Sequence, residues 1–214
     1  MAFKRLFVAF LLIAAGVATG AGPSAAETYR IVAFGDSLMA GYQLAPGESF
    51  PEKLEAALKA RGHDVVIANA GVSGDTSSGG LSRLDWSVPD DTDLVILGLG
   101  ANDMLRGVSP EITAKNIEEM IVRLQERKID ILLAGMLAAP NLGPDYANAF
   151  NSIYPRLAEQ YDLAFYPFLL EGVATQRDLL LEDGMHPNAA GIDRMVQGVL
   201  PLVERKLSAA KSRG

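Results

Sequence analysis

The sequence contains no cysteine and only two histidines. Without cysteine the chain has no disulfide framework, no thiol nucleophile, no thiolate metal site and no cysteine for lipid attachment. The histidines, His63 and His186, lie far apart along the chain, and neither has the His-Glu-x-x-His spacing of a zinc site. We therefore predict that the protein binds no metal and needs no other cofactor. His63 follows a glycine among charged residues and is predicted to lie at the surface.

The chain also lacks low-complexity segments, internal repeats and any linker rich in proline, glycine or serine between residues 27 and 214. Its 214 residues, 49% of them hydrophobic, supply enough apolar material for one sizeable core. Residues 27–214 are therefore predicted to form a single domain, which we expect to act as a monomer.

The first 26 residues have the pattern of a secretory signal peptide. A basic start at Lys4 and Arg5 precedes an apolar run over residues 6–17, and the segment ends in small residues at Ala26. An uncleaved membrane anchor is the alternative, but the run falls short of the ~20 residues that a bilayer span needs. We expect cleavage after Ala26, no stable membrane anchor afterwards, and a periplasmic or secreted mature protein.

Acidic residues outnumber basic ones in this chain. The formal net charge is −7 for the whole sequence, and it becomes −9 when residues 1–26, which carry two basic and no acidic residues, are removed. A surface of this sign repels phosphate groups. Nucleic acids and anionic membranes are therefore not expected as partners.

From residue 30 onward, short apolar runs alternate with longer amphipathic stretches. The runs predict five strands, each buried on both faces, over residues 30–34, 64–68, 93–97, 129–134 and 163–166. The amphipathic stretches predict helices over residues 51–61, 110–127, 146–160 and 187–207. This alternation predicts parallel strands with right-handed crossovers, and hence a three-layer α/β/α sandwich. In such a fold the ligand crevice lies at the carboxyl ends of the strands.

The first polar motif follows the first predicted strand directly and reads Gly35-Asp36-Ser37-Leu38. A serine at this position would lie exposed above the sheet. If a helix begins here, its N-terminal N–H groups and positive dipole end favour negative charge that develops near Ser37. The alternative is that Asp36 or Ser37 only caps that helix.

The second motif is Asp-Gly-Met-His-Pro at residues 183–187, immediately before the last predicted helix. Pro187 favours an extended backbone at His186, which keeps the imidazole on a loop. Asp183 can reach Nδ1 of His186 and fix its tautomer, so that Nε2 is free to accept a proton from a serine hydroxyl. The two motifs together predict a catalytic triad of Ser37, Asp183 and His186.

Two glycine-rich segments follow the second and third predicted strands, at residues 69–77 and 98–103. Acyl transfer needs hydrogen-bond donors for an oxyanion, and a glycine N–H together with the Asn102 amide would supply them, with the Ser37 N–H as a third. The alternative is that these glycines only permit tight turns. Segment 98–103 lacks the third glycine of a dinucleotide loop, and the chain has neither a Gly-Lys-Ser/Thr phosphate loop nor a Gly-x-Ser-x-Gly turn.

In combination and in this order, the motifs resemble those of the SGNH or GDSL hydrolases. That family is named for a serine, a glycine, an asparagine and a histidine, which here match Ser37, Gly74, Asn102 and His186. The resemblance implies a flavodoxin-like sheet of five parallel strands. It also implies an oxyanion hole that consists of the N–H groups of Ser37 and Gly74 and the side chain of Asn102.

Three further segments, at residues 69–76, 105–107 (Leu-Arg-Gly) and 153–155 (Ile-Tyr-Pro), make the sequence most similar within that family to the bacterial arylesterase and acyl-CoA thioesterase I type. One departure is Ala101, where the thioesterase pattern often has glycine. The resemblance implies a serine hydrolase of acyl or aryl carboxylic esters, with thioesters and lysophospholipids as further candidate substrates. Coenzyme A thioesters are cytosolic metabolites, so oxygen esters are more consistent with an exported enzyme.

Apolar residues near the predicted crevice indicate a small-molecule ester substrate with an acyl or aryl group. They are Met104, Leu105, Leu137 and Met185. Ordinary core or loop packing is the alternative interpretation of these residues. An esterase of acetylated carbohydrate is the second enzymatic hypothesis, although a sugar site would favour aromatic and polar contacts. A third hypothesis is not enzymatic: the protein is an exported binding module that keeps these loops to capture a ligand.

Overall fold

The computed structural model describes residues 28–212, so the predicted signal peptide lies outside the described residues. The strands are β1 (Tyr29–Gly35), β2 (Val65–Gly71), β3 (Leu94–Gly98), β4 (Asp130–Ala134) and β5 (Ala164–Tyr166). They form one parallel sheet in the order β2-β1-β3-β4-β5, which is the flavodoxin-like order. The predicted fold class is therefore confirmed, and each predicted strand is present with its ends shifted by at most three residues.

Burial differs between the centre and the edges of the sheet. Every residue of β3, at the centre, is buried. In β2, at one edge, Val65 and Ile67 are buried, whereas Val66 is 40% exposed. The opposite edge strand, β5, is only half-buried. The prediction that all five strands are buried on both faces is therefore wrong for these two, because an edge strand has a neighbouring strand on one side only and the helices cover it less completely.

Within residues 28–212, eight α-helices connect the strands. They are α1 (Ser37–Ala40), α2 (Phe50–Ala60), α3 (Ser77–Ser87), α4 (Ala101–Leu105), α5 (Pro110–Glu126), α6 (Pro144–Asn151), α7 (Ile153–Gln160) and α8 (Ala189–Lys211). Helices α2 and α8 pack against each other in one layer, and α3 packs against α5 in the other. No helix in this part of the chain is long and apolar enough to cross a membrane.

The helix predicted over residues 146–160 is in fact two helices, α6 and α7, which meet at Ser152. The physical cause is Pro155, which has no N–H to donate to the carbonyl of Asn151. A proline is tolerated in the first turn of a helix, so α7 starts two residues before it. The helices predicted over 51–61 and 110–127 are present with ends within one residue of the prediction.

Polar caps decide where two other helices begin. Helix α8 starts at Ala189, two residues after its predicted start, because the Asn188 side chain accepts the N–H of Gly191 at 3.0 Å. The apolar pattern does not predict α3, whose sequence is polar and contains adjacent glycines. Thr76 caps this helix by accepting the N–H of Gly79 at 3.2 Å. Local hydrogen bonding therefore supplies a start that hydrophobic periodicity does not reveal.

His63, which the sequence predicts to lie at the surface, is partly exposed and packs against a neighbouring helix. Its side chain is 19% exposed, and Nε2 lies 3.3 Å from Oε1 of Glu204 on α8. The preceding residue, Gly62, has a φ of +82°, a backbone conformation that lets the chain turn back after α2. This turn places His63 against the neighbouring helix.

Candidate active site

Ser37 lies where β1 ends and is the first residue of α1. Asp36 caps this helix, since its carboxylate accepts the N–H of Leu38 at 3.0 Å. Gly35 leaves no room for a side chain, because a Cβ there would lie 2.5 Å from the carbonyl oxygen of Gly98 on β3. The capping interpretation of the motif therefore applies to Asp36. The hydroxyl of Ser37 is left at the carboxyl edge of the sheet.

The structure brings Ser37, Asp183 and His186 together. The Oγ of Ser37 lies 2.9 Å from Nε2 of His186, and Nδ1 of His186 lies 2.6 Å from Oδ2 of Asp183. The other oxygen of Asp183 accepts the N–H groups of His186 and Met185 at 3.0 and 2.9 Å. These two backbone bonds lower the pKa of Asp183 to about 2, so the carboxylate stays ionised. In this geometry His186 can donate to Asp183 and accept the proton of Ser37.

Hydrogen bonds within the preceding segment hold the loop of His186 in place. The carbonyl of His186 accepts the N–H of Leu181 at 2.7 Å. Arg177 donates to the carbonyls of Leu181 and Glu182. Pro187 is buried and pairs with Leu180 in an isolated antiparallel bridge. The imidazole is therefore carried by a braced loop, although the loop contains no helix or strand of its own.

The residues predicted to form the oxyanion hole come from three neighbouring strand ends. Asn102 lies in α4, lines the same cavity as Ser37, and donates to Oδ2 of Asp36 over a long 3.4 Å. Gly74 lies in the loop after β2 with a φ of +81°. Arg106, at the end of α4, donates to the carbonyl of Gly74 at 2.7 Å. The loop of Gly74 is thus connected directly to the helix of Asn102.

Ser37 and His186 line a cavity of about 550 Å³, which is within the size range of small-molecule sites. Its walls include all four apolar residues predicted near the crevice, which are Met104, Leu105, Leu137 and Met185. Met104 is buried, whereas the other three are 42–58% exposed and lie at the mouth. The segments after β4 and β5 contribute further apolar wall residues that no sequence pattern predicted, which are Met136, Phe168, Leu170 and Leu180. Among residues 28–212, no group of three acidic, histidine or cysteine residues is placed to hold a metal ion.

This sequence matches the GDSL-like lipase/acylhydrolase family over residues 33–194. The chain belongs to this family. The matched residues contain all four motifs, so the resemblance found in the sequence is confirmed. The protein is accordingly a carboxylic ester hydrolase of the SGNH type.

Individual relatives of this hydrolase support the same assignment. An arylesterase of Vibrio mimicus is 39% identical over 159 residues, which are 74% of this chain and 80% of the arylesterase. The thioesterase 1/protease 1/lysophospholipase L1 of Escherichia coli K12 is 33% identical over 84% of this chain and 86% of its own length. Among solved structures, the SGNH-hydrolase family esterase AlinE4 is 49% identical, with a TM-score of 0.72 over 86% of this chain and 99% of AlinE4.

A buried arginine that the sequence analysis missed connects three parts of the hydrolase site. Arg83 on α3 donates to the carbonyls of Gly35 and Ala70 at 2.8 and 2.9 Å, and to the carboxylate of Asp75 at 2.7 Å. Its guanidinium also lies 4.1 Å from the centre of the Phe34 ring. These contacts fix the segment before the serine relative to the loop after β2. An arginine in a polar helix usually lies on the solvent-exposed face, so the local sequence does not predict that Arg83 is buried.

A fully buried carboxylate, Asp103, joins the helix of Asn102 to two other helices. It accepts the N–H and the hydroxyl of Ser77 at 2.7 and 2.5 Å, and the hydroxyl of Thr113 at 3.2 Å. Ser77 is the first residue of α3, and Thr113 lies in α5. One indication of this role is present in the sequence, because Asp103 directly follows Asn102 at the end of the glycine-rich segment 98–103. Its carboxylate supplies acceptors for these buried donors.

Asp36 adds a negative charge close to the histidine. It is 1% exposed, and this burial raises its pKa to about 6, while the N–H of Leu38 and the charge of His186 act in the opposite direction. Above that pH the carboxylate is mostly ionised. The charge of the ionised carboxylate then interacts with that of His186.

Proposed function

We propose that the protein is an exported serine esterase that hydrolyses acyl or aryl carboxylic esters through an acyl-enzyme on Ser37. The observation that carries this proposal is the 2.9 Å contact between Ser37 Oγ and His186 Nε2 at the base of an apolar cavity. A nucleophile within hydrogen-bond reach of a base, itself oriented by a third group, is the arrangement that activates a serine. Asp183 is the third group.

The proposed reaction begins when His186 takes the Ser37 proton as Oγ attacks the ester carbonyl carbon. The charge that forms on the carbonyl oxygen is stabilised by the N–H groups of Ser37 and Gly74 and by the Asn102 amide. Collapse of the intermediate breaks the ester bond, and His186 gives its proton to the departing alcohol. Water then attacks the acyl-enzyme in the same way and releases the acid, which leaves Ser37 protonated again.

The proposed substrate is a small ester whose acyl or aryl group occupies the apolar cavity. Leu105 and Leu137 at the mouth and Met104 inside offer dispersion contacts to such a group and no polar partners for a sugar. Relatives named arylesterase and thioesterase/lysophospholipase support this class, with thioesters and lysophospholipids as further candidates. Because coenzyme A thioesters are cytosolic, oxygen esters suit the proposed export best. We further propose that the mature enzyme is monomeric and uses no metal or other cofactor.

The proposed export rests on the basic, apolar and small-residue order of residues 1–26. The mature protein would be periplasmic or secreted. It would begin at Glu27, carry a formal charge of −9 and have no membrane anchor. This location would bring the enzyme into contact with esters outside the cytosol.

One experiment tests both the activity and the export. Protein recovered from the periplasm or the culture medium is assayed on p-nitrophenyl esters from acetate to palmitate, and its N terminus is determined by mass spectrometry. We expect hydrolysis that extends to acyl chains longer than acetate, since the cavity of about 550 Å³ is far larger than an acetyl group. We also expect a mature chain that begins at Glu27.

Other outcomes would contradict the proposal. If the folded protein hydrolyses no ester of the series, the proposed esterase activity is wrong. Activity confined to acetate and acetylated sugars would indicate a carbohydrate O-acetyl esterase. A recovered chain that retains Lys4 and Arg5 would overturn signal cleavage.

Asn102 provides a test of the proposed oxyanion hole. Replacing it by alanine removes one donor to the developing oxyanion and should lower kcat by roughly 10²- to 10³-fold. The unfolding temperature should hardly change, because the only hydrogen bond of the Asn102 side chain shown in the described residues is the 3.4 Å contact to Asp36. The measurements are steady-state kinetics and thermal unfolding of both proteins. Unchanged turnover would remove Asn102 from this role.

A further inference from the structure

The ring of Tyr42 lies against the imidazole of His186. The two ring centres are 4.4 Å apart, and the ring planes are inclined by 36°. Tyr42 belongs to none of the four sequence motifs, and it follows Ser37 by five residues. It is 37% exposed, so its ring forms an outer cover on one face of the histidine.

The short helix that carries Ser37 also determines where Tyr42 lies. Helix α1 ends at Gly41, which has a φ of +78° and donates its N–H to the carbonyl of Ser37. The N–H of Tyr42 points to the same carbonyl at 3.4 Å. A Cβ on Gly41 would lie 2.6 Å from the Cβ of Ser49, so only glycine allows this close turn. The path from the nucleophile to Tyr42 is therefore defined by the backbone.

The contact between Tyr42 and His186 is made by the aromatic ring of Tyr42. The hydroxyl oxygen accepts a hydrogen bond from Nε2 of Gln43 at 3.1 Å. The ring face carries partial negative charge, which attracts a cation placed over it. A phenylalanine at this position would therefore keep the contact between the aromatic ring and the imidazole.

Two hydrogen bonds alone do not immobilise the imidazole. Asp183 holds Nδ1 and Ser37 holds Nε2, and these two contacts leave the ring free to rock about the line that joins the nitrogens. Tyr42 covers one face and restricts this motion. Within residues 28–212, the ionisable groups recorded against His186 are Asp183 at its edge, the buried Asp36 beside Ser37, and Tyr42 on its face.

We propose that Tyr42 is a positioning residue for His186, which keeps the imidazole in line with Ser37 and stabilises the imidazolium that forms when the serine proton is transferred. This role rests on the proposed function of Ser37 and His186. Net cation–π attraction at partly exposed sites corresponds to about a 2- to 5-fold change in an equilibrium or rate constant at room temperature. Removing the ring should therefore lower the rate constant measurably, but far less than removing a triad residue does.

The test compares Tyr42→Ala and Tyr42→Phe with the wild-type enzyme. We expect Tyr42→Ala to lower kcat/KM on p-nitrophenyl butyrate about 2- to 5-fold, and to move the acidic limb of its pH profile to lower pH by about 0.4–0.7 units, because imidazolium is less stabilised. Tyr42→Phe should behave as the wild type. Trp86→Ala removes another exposed aromatic ring, at the far end of α3, and is the matched control.

An NMR titration of the two histidines gives a readout that does not depend on turnover. In Tyr42→Ala the titration midpoint of His186 should fall by about the same 0.4–0.7 units, while that of His63 stays unchanged and serves as an internal control. A shift of His186 without any esterase activity would support the contact and overturn the proposed function alone. An unchanged or raised midpoint, or a Tyr42→Phe variant that behaves like Tyr42→Ala, would overturn the role of the ring. A raised KM with an unchanged pH profile would assign Tyr42 to substrate contact instead.

Discussion

Replacing Ser37 by alanine is expected to abolish ester hydrolysis, with kcat lower by roughly 10⁶-fold, as for the removal of the serine nucleophile in a well-studied triad. The variant keeps the cap of α1, because Asp36 and not Ser37 accepts the N–H of Leu38. Its fold and unfolding temperature should therefore stay close to those of the wild type. Kinetics on p-nitrophenyl butyrate and circular dichroism measure the two quantities.

A covalent probe distinguishes loss of the nucleophile from indirect loss of activity. A fluorophosphonate should add to Ser37 in the wild-type protein, which mass spectrometry of the peptide would locate, and should not add to Ser37→Ala. Ser82→Ala on α3, which removes an exposed hydroxyl, should be labelled and active like the wild type. Labelling of Ser37→Ala, or a wild-type protein that is never labelled, would contradict the acyl-enzyme and favour a non-catalytic binding module.

Replacing Arg83 by alanine is expected to lower the free energy of unfolding by about 3–5 kcal/mol. The side chains of Arg83 and Asp75 are only 8% and 12% exposed, so the variant leaves a carboxylate buried without its counterion. It also leaves the carbonyls of Gly35 and Ala70 without these donors. For a domain of this size the loss corresponds to a fall in Tm of roughly 10 °C, measured by thermal unfolding.

The matched control for Arg83 is an arginine in an exposed ion pair. Arg123 on α5 contacts Glu119 at 2.6 Å, but its side chain is 39% exposed and water can replace the contact. Arg123→Ala should therefore leave the Tm nearly unchanged. A Tm for Arg83→Ala equal to that of Arg123→Ala would show that the buried arginine does not hold the strand ends and the loop after β2 together.

The strands and the motif positions could be predicted because they depend on local patterns. Central strands of a parallel sheet are apolar over their whole length, as in β3, and each is followed by a polar turn. The order of the motifs along the chain then places Ser37 and Asn102 at neighbouring strand ends, where β1 and β3 pair. The apolar pattern gave the wrong burial for the edge strands and did not reveal α3. In both cases burial depends on neighbours that are distant in sequence.

Periodicity, turn chemistry and four short motifs are local features, and they suffice to predict the fold class, all five strands and the residues that could perform acyl transfer. The contact between Ser37 and His186, which are 149 residues apart in the chain, is seen only after folding, at 2.9 Å. The burial of Arg83, the position of Tyr42 against the imidazole and the cavity walls from the loops after β4 and β5 are likewise seen only in the folded protein. Each of these features depends on packing between segments that are distant in sequence, and the residues next to a position do not reveal which distant residues will contact it.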